Sequence, residues 1–419
     1  TPPRRSTSFA SNLDRPTSPI GIPHPGDGDD GPPANNQGMH GIGRRLQVLG
    51  AALVVGAAAL VPAAPPATAL GLMSSNVEYV TTVPLEAGTW TTGRLHDGYF
   101  YASGMKSFTI YDVSDPESPQ LVSHTPTGIQ FINEDIDTNG EILLLTDERL
   151  RRILHVWDVS DKAKPVKLAE LEGMIDHSFA CVFDCTWAYG AGGDIIDLRD
   201  PANPKLAGRW IDEMPALWGF DTFEVSPGLV ITGSRVMHLL DGRKDPANPV
   251  VLARGALPDT RIIHSVKWPR AGKDRFLLAQ GETSPKPQCD ERSGEFITWD
   301  ATTWRRTHTF RKIDEYRVPA GTYVDGKPPV SALGCSATWF QHHPAFKNGG
   351  LVAGAFFDHG TRFLWVDDRG QIEEVGYYMP IAGSNTATYW ITDEIVYSID
   401  IVHGIDVLRF TGLDELPGS

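Results

Sequence analysis

Between residues 76 and 410 the apolar positions fall into short runs of Val, Ile, Leu, Thr, Tyr, Phe and Trp, cut by Gly, Asp, Asn and Pro. EILLLT (141–146), LVITG (229–233) and RFLWVD (362–367) are such runs. Helical periodicity is almost absent. Strand-forming residues bounded by turn formers are the mark of an all-β chain. One phrase recurs: FTIYDVSDPESPQLV (108–122), LHVWDVSDKAKPVKL (154–168), DIIDLRDPANPKLAGRW (194–210) and MHLLDGRKDPANPVVL (237–252). Each is an apolar run, an Asp, a Pro-containing turn and a second run. Proline fixes φ and cannot extend a strand, and Asp bonds nearby backbone N–H groups. The phrase is therefore read as a structural turn.

The spacing of the units selects the architecture. Runs that open each unit begin at Thr91, Glu134, His177, Asp221, His264, Ser336 and Thr386, which are 43, 43, 44, 43, 72 and 50 positions apart. A period near 43 with four strands, A to D, matches a propeller blade. The last unit (386–410) supplies A, B and C but no D, while NVEYVTTVPL (76–85) is a strand without a unit. The expectation is an all-β, seven-bladed β-propeller over 70–412, closed by the N-terminal strand of the mature chain, with a short tail at 413–419. Closure removes an exposed sheet edge.

The phrases FTIYDVSDPESP, LHVWDVSDKAKP and DIIDLRDPANP resemble the LVIVD-repeat family of β-propellers in secreted and cell-surface bacterial proteins. The resemblance spans about 76–410 and is clearest in blades 1 to 4. Blade 5 departs from it, with ITWDATTW (297–304) in place of the Asp-Pro turn, and blade 6 keeps FLWVDDRGQIEEVGYY without proline. It implies an extracytoplasmic propeller and no particular reaction.

The N-terminal 69 residues read differently. Residues 1–38 are rich in Pro, Gly, Ser, Asn and Asp and cannot bury enough surface to fold alone. In 39–69, Arg44 and Arg45 precede an Ala/Val/Leu run that ends in Ala67-Thr68-Ala69, the layout of an export signal. A membrane anchor is the competing reading, for which the run is short and weakly hydrophobic. Formal charge is −15 for the chain; without 1–69 it is 32 basic against 48 acidic residues, or −16. General attraction to nucleic acid or anionic membrane is excluded by that sign. No membrane span is expected after the signal is removed. Four cysteines suit an oxidising compartment.

Topology sorts the candidate chemistry. D-to-A and B-to-C connections share one face of a propeller, where strand A opens beside the axis. Glu134, His177, Asp221 and His264 open four consecutive blades there. Two imidazoles and two carboxylates can hold one divalent metal ion or act as acid and base; they can equally line a hydrated channel. Around the mouth, Arg149 and Arg235 are candidates to clamp an anion, His359 and His403 to overlook the channel from the B-to-C turns, and Trp218 to stack on a ligand. Blade 5 carries two insertions on this face, 282–294 and about 315–334. Cys289 lies in the first and Cys335 ends the second, so a Cys289–Cys335 disulfide would staple them. Cys181 and Cys185 would bridge the A-to-B turn of blade 3, C-x₃-C alone being a weak zinc signal. His342 and His343 fall in a turn on the far face and are read as surface residues.

No G-x-S-x-G elbow, P-loop, dinucleotide fingerprint, H-E-x-x-H or C-x-x-C-H motif is present. Two functions stay open: a binding or scaffold propeller that takes a protein, glycan or small molecule at the axial face, and a metal-assisted hydrolase, lyase or oxidoreductase built on the axial histidines and carboxylates.

Overall fold

The computed structural model describes residues 71–84, 90–128, 135–147, 153–174, 176–211, 219–257, 261–283, 286–319 and 333–416. The segments expected at 1–38 and 39–69 lie outside these. Seven small antiparallel sheets form a seven-bladed β-propeller. Blade 1 runs Trp90–His96, Tyr99–Gly104, Ser107–Asp112 and Gln120–Pro126. The inner strands of the next six blades are Ile136–Thr138, Phe179–Val182, Asp221–Ser226, Ile262–Lys267, Phe340–His342 and Asn385–Trp390. No helix among the described residues is long and apolar enough to cross a membrane.

The apolar runs are continuous because blades stack face to face, so strands B and C are covered on both sides. Leu229–Gly233 is buried at every position, whereas the outer strand Val166–Glu172 is mostly half-exposed. Ile231 and Leu239 of blade 4 thus meet Leu277, Ile297 and Trp299 of blade 5 in one cluster. Phe100 and Tyr111 of blade 1 meet Tyr397 and Ile405 of blade 7 in another. Each such buried side chain is worth about 1.5–3 kcal/mol.

The recurrent Asp closes the C-to-D turn in blades 1 to 6. Asp112, Asp158, Asp197, Asp241, Asp300 and Asp367 each accept, through Oδ1, the N–H two residues on, at 2.8–3.1 Å. Blades 5 and 6 keep this bond although they lack the proline. The carboxylate, not the pyrrolidine ring, is therefore the shared element of the turn.

Blade 7 consists of Asn385–Trp390, Ile395–Asp400 and Gly404–Phe410, with Val77–Pro84 antiparallel to the last of these as its fourth strand. Val77 stands opposite Phe410 and Pro84 opposite Gly404. One pairing goes beyond the sequence expectation: Gly71–Met73 adds a fifth strand to blade 6, against Ile372–Pro380. Three residues are too few to show alternation. The N-terminal 14 described residues, 71–84, thus clamp two neighbouring blades.

Both expected disulfides are present, Cys289–Cys335 and Cys181–Cys185. The first joins the two blade 5 insertions, whose backbones also meet where the Cys335 N–H donates to the Lys286 carbonyl. Gly334 permits that approach: its φ is +110°, and a Cβ would stand 2.5 Å from the Lys286 oxygen. The second closes a turn in which Phe183, Asp184 and Cys185 are all left-handed, with φ of 51°, 56° and 54°. His343 differs from its expected place on the surface. Its ring is buried against Trp390, with Nε2 at 2.9 Å from the Asp393 carbonyl, and it receives the Ala345 N–H.

Candidate functional site

Strand A of each blade has no neighbour on its axial side, so its N–H groups are orphans unless something caps them. Neighbouring blades supply the caps. Asp137 of blade 2 receives the Cys181 N–H of blade 3 at 2.9 Å and Arg94 Nε of blade 1 at 2.7 Å. Asp221 of blade 4 receives the Val266 N–H of blade 5 at 2.8 Å and stands 3.1 Å from Lys267 Nζ. Glu224 receives the Phe183 N–H, and Tyr389 OH receives the Gly93 N–H, each at 2.9 Å. Asp135 completes this axial group. Burial first, then the nearby Asp221 and Asp137 carboxylates, push it up to about 8 against the pull of Arg94 and Lys267.

The axial histidines are close together but not aimed at one point. Their ring centroids lie 6.4 Å apart, and Phe220 packs on both at 4.9 Å. His264 is fully buried, with Nδ1 3.2 Å from the Thr338 carbonyl and Nε2 2.9 Å from Glu282 Oε2. His177 is half-buried. Among the described residues, His177, Asp221 and His264 do not bring three ligand atoms within 4.8 Å of one another. Glu134, Arg149 and Trp218 lie outside the described residues. Arg94, Asp135, Lys267 and Phe220 were missed in the sequence. The first three continue the strand openings already located but stand at odd offsets from Thr91, Glu134 and His264, so period-2 alternation counted from those openings put them on the opposite face.

The turn residues divide. Arg235 is exposed between strands B and C of blade 4. His359, expected to overlook the mouth, is instead fully buried under the blade 5 insertions, beside the Cys289–Cys335 disulfide. Burial, with Arg362 nearby, pushes it down to about 4. An insertion from the neighbouring blade covers it, which its own blade's sequence does not reveal. These two cysteines and His359 converge, but the sulfurs are bonded to each other and hold no ion. His403 is 21% exposed and turns its Nδ1 towards Asp400.

A cleft of about 650 Å³ lies between the blade 5 insertions, lined among others by Arg261, Lys286, Arg292, Arg317, Glu291 and Glu315. Its floor is an ion network. Glu295 is fully buried, with Arg261 Nη1 at 2.5 Å and Arg317 Nη2 at 3.4 Å. Arg317 also reaches Glu315 at 2.5 Å and the Ser293 carbonyl at 3.0 Å, and Lys312 reaches Glu315 at 2.8 Å. At the rim, Lys286 lies 3.1 Å from Asp290, and Arg292 is exposed. Thr283 in the wall follows Glu282, the partner of His264, so cleft and axis adjoin.

No family model matches the chain, and no curated protein matches it. Solved structures do: 874 chains match, as suits an architecture that hosts many functions. One is a chain of the crystal structure of the mitotic checkpoint complex, at 12% identity and a TM-score of 0.54, over 83% of this chain and 97% of that one. At that identity the likeness shows the β-propeller fold alone.

Proposed function

We propose that this chain is an exported, LVIVD-repeat-like binding protein that takes an anionic ligand, bearing carboxylate or sulfate groups, on its axial face in the blade 5 cleft. One observation carries the reading: four cationic side chains, Arg261, Lys286, Arg292 and Arg317, line a disulfide-braced cleft with two carboxylates among them, in a chain of net charge −15. Arg261 and Arg317 are fixed by buried Glu295, so two positive charges are held in place at the cleft wall, where an anionic ligand would meet them. Two disulfides support an oxidising compartment. The fold is compatible with a binding role. The test is binding of the full chain to sulfated, carboxylated and neutral glycans and to acidic peptides. Anionic members should bind, and the double variant Lys286→Ala/Arg292→Ala should weaken them at least about tenfold, since hydrogen bonds to charged groups are worth about 1.5–3 kcal/mol each. Retention of neutral and anionic probes alike, unaffected by that variant, would sink the proposal.

Metal-assisted catalysis by Glu134, His177, Asp221 and His264 is the second reading. Proximity of the two histidines at the axial mouth favours it. Elemental analysis of His177→Ala and His264→Ala tests it, because both must lose any ion held there.

A further inference from the structure

A different cluster lies in blade 7. In the pairing of Ile395–Asp400 with Gly404–Phe410, Ser398 stands opposite Asp406 and Asp400 opposite Gly404. Side chains two residues apart on a strand share a face, so Asp400 and Asp406 point the same way. That face meets blade 6: Ser398 Oγ is 2.7 Å from Thr361 Oγ1, and Tyr378 OH donates to Asp406 Oδ2 at 3.0 Å. The tight turn between the strands sets His403 above the two acids. One ligand atom from each of Asp400, His403 and Asp406 lies within 4.8 Å of the others.

Hydrogen bonding leaves this cluster incomplete in one direction. Asp400 is fully buried; its Oδ1 accepts the Val402 and His403 N–H groups at 2.7 and 2.8 Å, but its Oδ2 has no hydrogen-bond partner. His403 Nδ1, 3.7 Å from that oxygen, has none either. Asp406, also fully buried, is oriented by Tyr378 and by Thr82 Oγ1 at 2.5 Å. Asn385 is directly opposite Asp400 in register, fully buried, with neither amide atom hydrogen-bonded. Among the described residues no lysine or arginine pairs with either acid, as the ion pairs show. Buried carboxylates are ordinarily paired with a cation or bound to a metal. The open valences of Asp400 and His403 converge on one side of the same pair of strands.

We propose that Asp400, His403 and Asp406 bind one divalent transition-metal ion of zinc or manganese chemistry. Two carboxylate oxygens and one imidazole nitrogen are a donor set those ions accept. The Asn385 carbonyl and a water are available to complete the shell. His403, at the edge of solvent, provides the entry path. The ion also joins three parts of the chain: the two strands of blade 7, Tyr378 of blade 6, and Thr82 of the N-terminal strand. It therefore stabilises the seam where the two ends of the propeller meet.

The experiment titrates the chelator-stripped full chain with Zn²⁺ and Mn²⁺, by calorimetry and thermal shift. One equivalent should bind and raise the melting temperature. His403→Ala should weaken binding at least about tenfold, and Asp400→Asn about a hundredfold or more. His264→Ala should keep the full equivalent, which separates this site from an axial one. Circular dichroism establishes that each variant folds. If Asp400→Asn does not, partly exposed His403→Ala and the spectrum of bound Co²⁺ carry the test, with nitrogen and oxygen ligation expected. Failure of either ion to bind, an equivalent unchanged in His403→Ala, or loss of the equivalent in His264→Ala overturns the proposal.

Discussion

The axial channel and the blade 5 cleft open on the same face and are built from the same polar residue types, yet they spend them differently. At the axis, Asp137, Asp221 and Tyr389 are occupied with backbone N–H groups that the inner strands leave bare, and Glu224 with the N–H of Phe183 in the turn that follows one of them. In the cleft, charges pair in the floor and reach solvent at the rim. The axial residues belong to regular blades, where each polar group answers a need that every blade repeats. The cleft belongs to the blade that abandons the repeat. In this molecule regular spacing marks what holds the ring together, and departure from it marks where chemistry is left over.

The largest effect should come from the two disulfides, one in each kind of region. Cys289–Cys335 spans 46 residues and Cys181–Cys185 spans four. Loop-closure entropy assigns about 4 kcal/mol to the first and about 2 kcal/mol to the second. Cys289→Ser/Cys335→Ser should therefore lose about twice as much stability in denaturant unfolding as Cys181→Ser/Cys185→Ser, and should alone abolish anion binding in the cleft. Equal losses, with binding intact in both, would erase the distinction between brace and cleft.

A middle-sized effect belongs to the axis. Asp135 titrates near 8 in the folded chain, against roughly 3.9 when unfolded. Its raised value means that the folded chain holds the proton longer. The associated stability is complete below about pH 4 and is lost as pH rises through about 8. Asp135→Asn mimics the protonated form. It should match the parent near pH 4 and exceed it by about 1–2 kcal/mol at pH 9, allowing for screening of a partly exposed group. Parallel stability curves from pH 4 to 9 would show that Arg94 and Lys267 already neutralise this carboxylate.

How much of this was legible follows the same division. The seven-bladed fold was, because a 43-residue period leaves few architectures open, and the fourth strand of the last blade was readable from its absence between 386 and 410. The Cys289–Cys335 pairing was readable from topology, since both insertions must emerge on one face. Side-chain direction was not. The rings of His177 and His264 lie 6.4 Å apart, but Phe220, which packs on both, was hidden as the residue just before the strand Asp221–Ser226. His359 looked like a mouth residue because nothing in blade 6 tells that blade 5 covers it. Asp400 and Asp406 sit inside the run SIDIVHGID (398–406), where a pattern search sees strand and turn, and only register brings them to one face.

The smallest effect tests the repeated turn itself. Asp241 ends strand C in a regular blade with the Asp-Pro phrase, and Asp300 ends it in blade 5 without proline. Both hold the N–H two residues on, at 3.1 and 2.8 Å. If the carboxylate is the element that makes the turn, Asp241→Ala and Asp300→Ala should each cost about 1 kcal/mol, the net worth of such a bond. If proline shares the task, the blade 4 variant should lose markedly less, because Pro246 still restricts the chain after the bond is gone. Chemical denaturation of the two variants distinguishes these outcomes. The result also decides how blade 5 tolerates its insertions: a turn that needs only an Asp leaves the rest of the blade's sequence free to vary, and that freedom is what allows one blade of seven to carry a binding cleft without breaking the ring.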